Sequence, residues 1–360
     1  MASNSFGNIL KFSSFGESHG TAIGGVLDGF PAGIEIDYRF VEQQLKRRKP
    51  LPKQGGTERK EDDEVVWLSG LEDNKTTGAP IAFLIKNKNH RPADYDTLKN
   101  VYRPSHADYT WQEKYGIRDH KGGGRASARE TAVRVVAGAL ARLLLQKHNI
   151  ELLAGVSQIG NIKANKTINE FTGNDLQKSS YGFLDPHRDN ELDQLINRLR
   201  KEGDTAGGVV SCIIRNAPAG LGEPVYHKLQ AGLASAMMSI NAVKGFEYGE
   251  GFNAASMFGS EHNDEFEKKN HEIRTKTNHS GGIQGGISNG EAIYFSVAFK
   301  PISSIHKSQQ TVNTDKKPEK IAISGRHDVC VVPRAIPIVE SMAALVIADF
   351  LLWSKTSSVS

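Results

Sequence analysis

The stretch Gly122-Gly123-Gly124-Arg125-Ala126-Ser127-Ala128-Arg129-Glu130-Thr131 organises the rest of the chain. Its three glycines allow the backbone to turn tightly and to approach a ligand without a Cβ in the way. Ser127 and Glu130 have the spacing of a capping box, and apolar residues follow at helical spacing over 132–140. We predict a glycine loop that leads into a helix N-terminus, where free N–H groups and two arginines favour an anion. A capped helix with two solvated arginines is the alternative.

Composition indicates a soluble globular protein. The 360 residues are 38% hydrophobic and 24% charged, with a formal net charge of +4. No low-complexity linker or strict repeat divides the chain, so we expect a single domain over residues 1–360. The chain lacks a long basic block, zinc-knuckle spacing and aromatic–basic interleaving, which argues against nucleic acid as a partner. Basic residues fall in short clusters such as Lys46-Arg47-Arg48-Lys49, which suit a small polyanion.

Sequence features also indicate a cytoplasmic location. Cys212 and Cys330 are the only cysteines, which is sparse for a secreted scaffold and fits a reducing compartment. The N-terminus has no basic region followed by an apolar run, so we expect no signal peptide. The most apolar segment, 335–353, carries Glu340 and Asp349. It predicts a core helix rather than a membrane span.

Helical and extended patterns are mixed along the whole chain, with several hairpin-like pairs of strands. We therefore predict an α+β fold rather than a doubly wound parallel sheet. Helical patterns cover 37–48, 108–115, 131–148, 189–201 and 226–239, and extended patterns cover 9–15, 21–27, 64–68, 80–85, 152–162, 208–215 and 293–299. The polar segment 260–279 is a candidate for a flexible lid, and Gly281–Gly286 forms a second glycine-rich loop.

Gly16-Glu17-Ser18-His19-Gly20 matches the G-x-S-x-G pattern of serine hydrolases. That pattern requires a strand, a sharp turn and then a helix. The residues after Gly20 favour a second strand, so a hydrolase that uses Ser18 is a minor alternative. His19 is an exposed loop histidine that can change its protonation state near neutral pH.

Two further histidine segments could carry chemistry. His106 follows a Pro-containing turn, and His327-Asp328 lies on a loop with Arg326. No pair of histidines or cysteines has the spacing of a metal site, so we expect no bound metal. Neither glycine loop has the G-x-G-x-x-G form and no Walker A lysine follows them, which argues against a Rossmann or P-loop nucleotide site.

Taken together, these motifs resemble the chorismate synthase family. The resemblance covers nearly the whole chain, and its motifs follow one another in order at compatible spacing. The matching stretches are Gly16-Glu17-Ser18-His19-Gly20 through Asp28-Gly29-Phe30-Pro31, Arg103-Pro104-Ser105-His106-Ala107-Asp108-Tyr109, Gly124 through Thr131, Lys300 through Ile305, and Arg326-His327-Asp328 through Glu340-Ser341.

The resemblance implies a lyase of the shikimate pathway. It would convert 5-enolpyruvylshikimate-3-phosphate to chorismate and phosphate by an anti-1,4-elimination that requires reduced FMN. The family fold is a β-α-β sandwich, with helices layered between antiparallel sheets, and the family assembles as a homotetramer with one flavin per subunit. The residues agree with such a ligand, because a phosphorylated dicarboxylate needs several arginines.

The resemblance also implies roles for particular residues. His19 would protonate the departing phosphate, His106 would donate a proton near flavin N1, and Asp328 would assist deprotonation at flavin N5. Substrate would be bound by Ser18, His19, Arg48, Arg129 and Arg326. Flavin would be bound by Arg125, Ala126, Ser127, Asn241, Ala242, Gly285, Lys300, Pro301, Ile302, Ser303, Ser304 and Arg326.

Two positions depart from the family pattern. Gln54 replaces a family arginine that binds an anion, and Ala126 stands where serine is frequent. Some family members reduce their own flavin with NADPH, whereas others depend on outside reduction. This chain has no recognisable nicotinamide site or additional domain, so we expect an external flavin reductase. A non-catalytic anion-binding module that uses the two glycine loops remains the alternative from another class.

Overall fold

The computed structural model describes residues 4–49, 55–56, 63–88, 99–120, 122–323 and 328–357. The helices are α1 (Tyr38–Arg48), α2 (Asp108–Tyr115), α3 (Thr131–Gln146), α4 (Gly173–Leu176), α5 (Asp189–Glu202), α6 (Leu229–Met238), α7 (Gly259–His262) and α8 (Val332–Ser354). The strands are β1 (Ser5–Phe6), β2 (Lys11–Gly16), β3 (Ala22–Asp28), β4 (Val65–Trp67), β5 (Leu71–Glu72), β6 (Lys75–Thr76), β7 (Ile81–Lys86), β8 (Glu151–Ile159), β9 (Ile162–Lys163), β10 (Gly208–Arg215), β11 (Val243–Tyr248), β12 (Phe266–Lys269), β13 (Glu272–Thr275), β14 (Ile283–Gln284), β15 (Ile287–Ser288), β16 (Ile293–Phe299), β17 (Gln309–Val312) and β18 (Pro318–Ile321).

Two five-stranded sheets form the outer layers. The first has the order β1-β2-β3-β7-β4 and the second has the order β11-β16-β10-β8-β9. All pairings within both sheets are antiparallel. In β16 every second side chain is buried, from Ile293 to Phe299, as the sequence alternation predicts. Each sheet therefore presents one apolar face to the interior.

Helices fill the space between the two sheets. α3 packs against β3 of the first sheet, α8 packs against β8 and β10 of the second, and the two helices pack against each other. Gly138 permits this close approach, because a Cβ there would lie 2.2 Å from the Cβ of Ser341. The arrangement confirms the predicted α+β fold with helices layered between antiparallel sheets.

The long helix α8 is a core helix, as predicted. It is apolar and long enough to cross a bilayer, but 94% of its most apolar 18-residue window is buried within the protein. Its two carboxylates are also buried, and both have defined partners. Glu340 accepts hydrogen bonds from Arg142 (2.8 Å) and the Ala154 N–H (3.0 Å), and Asp349 accepts from the N–H groups of residues 8–10.

Two sequence predictions need correction. The segment 260–279 contains α7 and the β12–β13 hairpin, and none of its residues lines the cavity described below. The segment is therefore folded and lies outside the lining of that cavity, whereas its flexibility stays a prediction. The capping box is only half formed: Ser127 Oγ accepts from the Arg129 N–H (3.4 Å) at the 3₁₀ turn before α3, but the Glu130 carboxylate accepts from Arg134 Nε (3.0 Å). An arginine one turn along the helix competes for the carboxylate.

Candidate active site

A cavity of about 680 Å³ opens where several loops meet beside the N-terminal ends of α3 and α8. Its volume is within the usual range for a small-molecule site. Its lining comes from Arg103, residues 105–108, 122–129, 240–242, 299–300 and 302–304, together with the start of α8. Its cationic lining residues are Arg48, Arg103, Arg118, Arg125, Arg129, Lys300 and Arg334. This wall is suited to a ligand that carries several negative charges.

The glycine stretch forms one wall of the cavity. Gly122, Gly123 and Gly124 have φ values of +73°, +86° and +53°, which are strained for residues with a Cβ. Two short 3₁₀ turns follow before α3 begins at Thr131. The predicted glycine loop is therefore present, but the residues after it do not enter the helix directly.

The two arginines of this stretch have different partners. Arg125 donates to the Ser14 hydroxyl (2.8 Å) and to the Gly16 carbonyl (3.2 Å), so it fastens the loop to β2 while it lines the cavity. Arg129 forms an ion pair with Asp63. Asp63 also accepts from Arg48 Nη2 at 2.9 Å. The predicted substrate arginines Arg48 and Arg129 thus meet around one carboxylate.

Asp63 is buried beneath these two arginines. Burial alone would raise the pKa of its carboxyl group, but the charges and hydrogen bonds of Arg48 and Arg129 outweigh that effect and hold the pKa below its usual value. Asp63 is therefore an anion at neutral pH that orients both guanidinium groups. Sequence reasoning did not identify it, because nothing in its local pattern indicates the two distant partners.

Ser18 and His19 lie on the turn between β2 and β3. The Ser18 Oγ lies 3.1 Å from the Nδ1 of His19. The turn joins two antiparallel strands, whereas a nucleophile elbow needs a helix after the turn. His19 does not line the cavity itself, but a Cβ on Gly122 would lie 2.2 Å from its Cε1 atom. The imidazole therefore packs directly behind the glycine wall.

His106 and the segment after β16 meet on the opposite wall. His106 Nε2 lies 3.0 Å from Ser304 Oγ, and Ser303 Oγ donates to the Ser105 carbonyl at 3.2 Å. Lys300 contacts Ser303, and burial together with the charge of Lys244 lowers its pKa from the ordinary value. Ile302 lines the cavity beside these residues, whereas Pro301 belongs to the same segment but is exposed.

Asp328 enters the cavity near the start of α8. It forms an ion pair with Arg334, whose Nε also donates to the Arg48 carbonyl at 3.0 Å. Arg334 thus joins the Asp328 segment to the end of α1. The predicted ligand Arg326 lies outside the described residues, as do His327 and Gln54, the residue that replaces a family arginine.

Asn241 and Ala242 also reach the cavity. Asn241 Nδ2 donates to the Ala126 carbonyl at 2.9 Å, which joins two of the predicted flavin segments. The Asn241 Oδ1 atom is buried and has no hydrogen-bond partner within the described part of the chain. A buried acceptor of this kind is suited to an N–H or O–H group of a ligand, and the ring system of a reduced flavin carries N–H groups. Ala126, Ser127 and Lys300 line the same space.

Gly285, unlike the other described flavin residues, belongs to a segment that does not reach the cavity. It forms the turn between β14 and β15, and the adjacent Gly286 carbonyl accepts from the N–H of Leu229 at the start of α6. Asn241 follows the other end of that ten-residue helix. At 1.5 Å per residue, about 15 Å of helix separates the two ends. Within one chain, Gly285 is therefore remote from the cavity.

Several lining residues were missed by sequence reasoning. Asp108 accepts from Arg103 at 2.7 Å and lies 3.5 Å from Arg118, so a second buried carboxylate orients two more cavity arginines. Burial opposes ionisation of Asp108, but hydrogen bonds from Arg103 bring its pKa below the usual value. The signal was present in the segment Arg103–Asp108, where only His106 was singled out. In the part of the chain that the structure describes, no group of three or more His, Cys, Asp or Glu side chains could hold a metal ion.

The chain is similar to known proteins over nearly its whole length. The family model for chorismate synthase matches residues 10–352. A chorismate synthase of Parabacteroides distasonis is 55% identical over 353 residues, which cover 98% of this chain and 99% of that protein. A chorismate synthase of Christiangramia forsetii is 54% identical over 359 residues, covering 100% of both. A crystal structure of chorismate synthase matches with a TM-score of 0.77 and 31% identity, covering 96% of this chain and 92% of the other. The chain belongs to the chorismate synthase family.

Proposed function

We propose that this protein is a lyase that converts 5-enolpyruvylshikimate-3-phosphate to chorismate and phosphate by an anti-1,4-elimination with reduced FMN. This reaction is the last common step toward the aromatic amino acids. The observation that carries the proposal is the cavity itself, because it gathers Arg48, Arg129, His106 and Asp328 around one space. Membership of the chorismate synthase family supports the same reaction.

The arginines account for binding of the substrate. Its phosphate and two carboxylates need donors with a fixed geometry, and guanidinium groups provide paired donors. Asp63 holds Arg48 and Arg129 in place before the substrate arrives, so little side-chain entropy remains to be lost on binding. In this proposal Ser18 and Arg326 complete the substrate site.

The flavin would be held by the segments that surround Asn241. These are Arg125, Ala126, Ser127, Asn241, Ala242 and Lys300 through Ser304, with Arg326 added by the resemblance. When bound, reduced FMN supplies the transient electron donation that allows a non-acidic ring hydrogen to be lost. Gly285 remains a proposed ligand only if a second subunit supplies it, because it is remote within one chain.

Three side chains would handle protons. His19 would donate to the departing phosphate, and His106 would donate to the flavin, where Ser304 orients its ring. Asp328 would accept a proton, and its ion pair with Arg334 fixes the carboxylate toward the cavity. Residues of these types serve as general acids and bases near neutral pH. The His19 ring lies behind Gly122, so it would have to reach the substrate past this glycine. The role of His19 as the acid therefore depends on the conformation of the β2–β3 turn.

The remaining proposals concern the oligomeric state of the enzyme, its location and the source of its reduced flavin. We propose a single-domain subunit of a cytoplasmic homotetramer that receives reduced flavin from an external reductase. Exposed Phe252, Phe258 and Ile273 support association with other copies, because large apolar side chains at a surface favour contacts. The sequence contains no Rossmann-type glycine pattern, which favours reduction of the flavin by another protein rather than by bound NADPH.

The direct test is anaerobic release of inorganic phosphate from 5-enolpyruvylshikimate-3-phosphate with reduced FMN. Wild-type protein should release phosphate and form chorismate in equal amounts. Arg129→Ala should raise the KM for substrate, because a charged contact to the anion is lost. A wild-type protein that binds the substrate but releases no phosphate would instead support the anion-binding module.

The contact between Ser18 and His19 is the one observation that favours a hydrolase. A nucleophilic Ser18 would be labelled covalently by a fluorophosphonate. We expect no labelling, because the β2–β3 hairpin does not have the geometry of a nucleophile elbow. Labelling of the wild type that disappears in Ser18→Ala would support the hydrolase alternative.

A further inference from the structure

The side chain of Asn87 connects two parts of the proposed site. Asn87 directly follows β7, and its Nδ2 donates to the carbonyls of Glu17 (3.0 Å) and Gly20 (2.8 Å). Its Oδ1 accepts from Arg129 Nε at 3.1 Å. A single carboxamide therefore contacts both the turn that carries His19 and an arginine of the cavity wall.

The two carbonyls that Asn87 contacts are the ends of a tight turn. The N–H of Gly20 donates to the Glu17 carbonyl at 3.1 Å, and Ser18 and His19 lie between them. On its other side, the turn packs against the glycine wall through the His19 ring and Gly122. Fixing both ends of so short a turn fixes the position of the His19 backbone, from which the imidazole extends.

Arg129 is itself held on two sides. Its Nη1 pairs with buried Asp63, and its Nε donates to Asn87. These two contacts fix the position of the Arg129 guanidinium group on the cavity wall. Through its carboxamide, Asn87 connects this fixed arginine to the turn that carries His19.

We propose that Asn87 is a positioning residue that sets His19 relative to Arg129. This inference rests on the proposed function, in which His19 protonates the phosphate and Arg129 binds an anionic group of the same substrate. A general acid works only at hydrogen-bond reach of its target, and a misplacement of about 1 Å can cost about 10²-fold in rate.

Asn87→Asp separates the two halves of this contact. An ionised carboxylate still accepts from Arg129 but cannot donate to the carbonyls of Glu17 and Gly20. We expect both Asn87→Asp and Asn87→Ala to lower kcat by about 10²-fold with little change in the KM for substrate. Asn87→Asp with wild-type kcat would overturn the proposal, because the turn would then need no donor.

A double-mutant cycle distinguishes positioning from general weakening of the fold. In a His19→Ala background, Asn87→Ala should cause no further loss of turnover, because the residue it positions is absent. Multiplicative losses would contradict the proposal. Lys88→Ala is the matched control, because this neighbouring side chain pairs with Glu64 at the surface. It should retain wild-type turnover.

A measurement without substrate or flavin keeps the inference separate from the proposed function. The NMR signal of the His19 Cε1–H group, assigned with His19→Ala, should move in Asn87→Ala and remain in place in Lys88→Ala. An unmoved signal would overturn the role of Asn87 even if the wild type is active. A wild type that forms no chorismate, with a signal that moves, would reject the proposed function alone.

Discussion

The Nε2 atom of His106 lies 3.0 Å from the Oγ atom of Ser304, although 198 residues separate them in the sequence. The contact brings together two segments that the sequence linked to the flavin. His106 precedes α2, whereas Ser304 follows β16 of the second sheet. Two distant motifs therefore form one wall of the cavity.

His106→Ala should lower the rate of chorismate formation by about 10²–10⁴-fold, the usual contribution of a general acid. Ser304→Ala should cost less, because the hydroxyl orients the ring without transferring the proton. Anaerobic assays with reduced FMN measure both variants. A His106→Ala variant with wild-type turnover would remove His106 from the mechanism.

Gly122→Ala should displace His19. The added Cβ would lie 2.2 Å from the His19 Cε1 atom, so the ring must move and turnover should fall steeply. Gly123→Ala is the matched control, since its φ is also positive but its nearest neighbour would be 3.9 Å away. Both variants place a Cβ at a positive φ, so both carry backbone strain. Equal turnover in the two variants would show that the position of His19 is unimportant.

Glu340→Gln should destabilise the fold. The carboxylate is buried between Arg47 and Arg142, and removing one member of such a network typically costs about 3–5 kcal/mol. Urea unfolding at neutral pH measures the loss. Glu64→Gln is the control, because its pair with Lys88 is exposed and should contribute little. Similar midpoints for the two variants would refute a structural role for Glu340.

The same carboxylate should contribute to the acid sensitivity of the fold. Burial alone would raise the pKa of Glu340, but Arg47 and Arg142 outweigh it and lower the pKa. Its stabilisation is therefore complete above the unfolded glutamate pKa of about 4.3 and is lost as the pH falls through the lower folded value. Unfolding free energy should fall less steeply with acid in Glu340→Gln. An unchanged slope would contradict this assignment.

Gly138→Ala should destabilise the protein, although alanine favours a helix by about 1 kcal/mol. The new Cβ would lie 2.2 Å from the Ser341 Cβ, and overpacking of this kind usually costs about 1–3 kcal/mol. Adding Ser341→Gly should restore part of the loss. Thermal unfolding of the single and double variants tests this. A stabilised single variant would mean that α3 and α8 have room to separate.

Elements with strong local signals could be predicted from the sequence. Asp37 caps α1 as expected, with its Oδ1 accepting from the Phe40 N–H at 3.0 Å. The alternation of β16 and the burial of α8 also follow directly from residue pattern. Such features depend on near neighbours, whose spacing the sequence displays.

Features that depend on distant partners could not be predicted in the same way. The roles of Asp63, Asn87 and Arg334 arise from partners brought close only by the fold. The capping box is only half formed because Arg134 competes for Glu130. The glycine pattern around Gly285 predicts a turn but not where that turn lies in the fold. The sequence therefore did not indicate that Gly285 lies at the start of α6, away from the cavity.

The dependence on flavin tests the account most directly. Protein and 5-enolpyruvylshikimate-3-phosphate are mixed anaerobically in three cuvettes, with dithionite-reduced FMN, with oxidised FMN plus NADPH, or without flavin, and chorismate absorbance is followed. We predict product only with reduced FMN. Product with oxidised FMN and NADPH would show that the protein reduces its own flavin and needs no external reductase. No product with reduced FMN would contradict the proposed lyase.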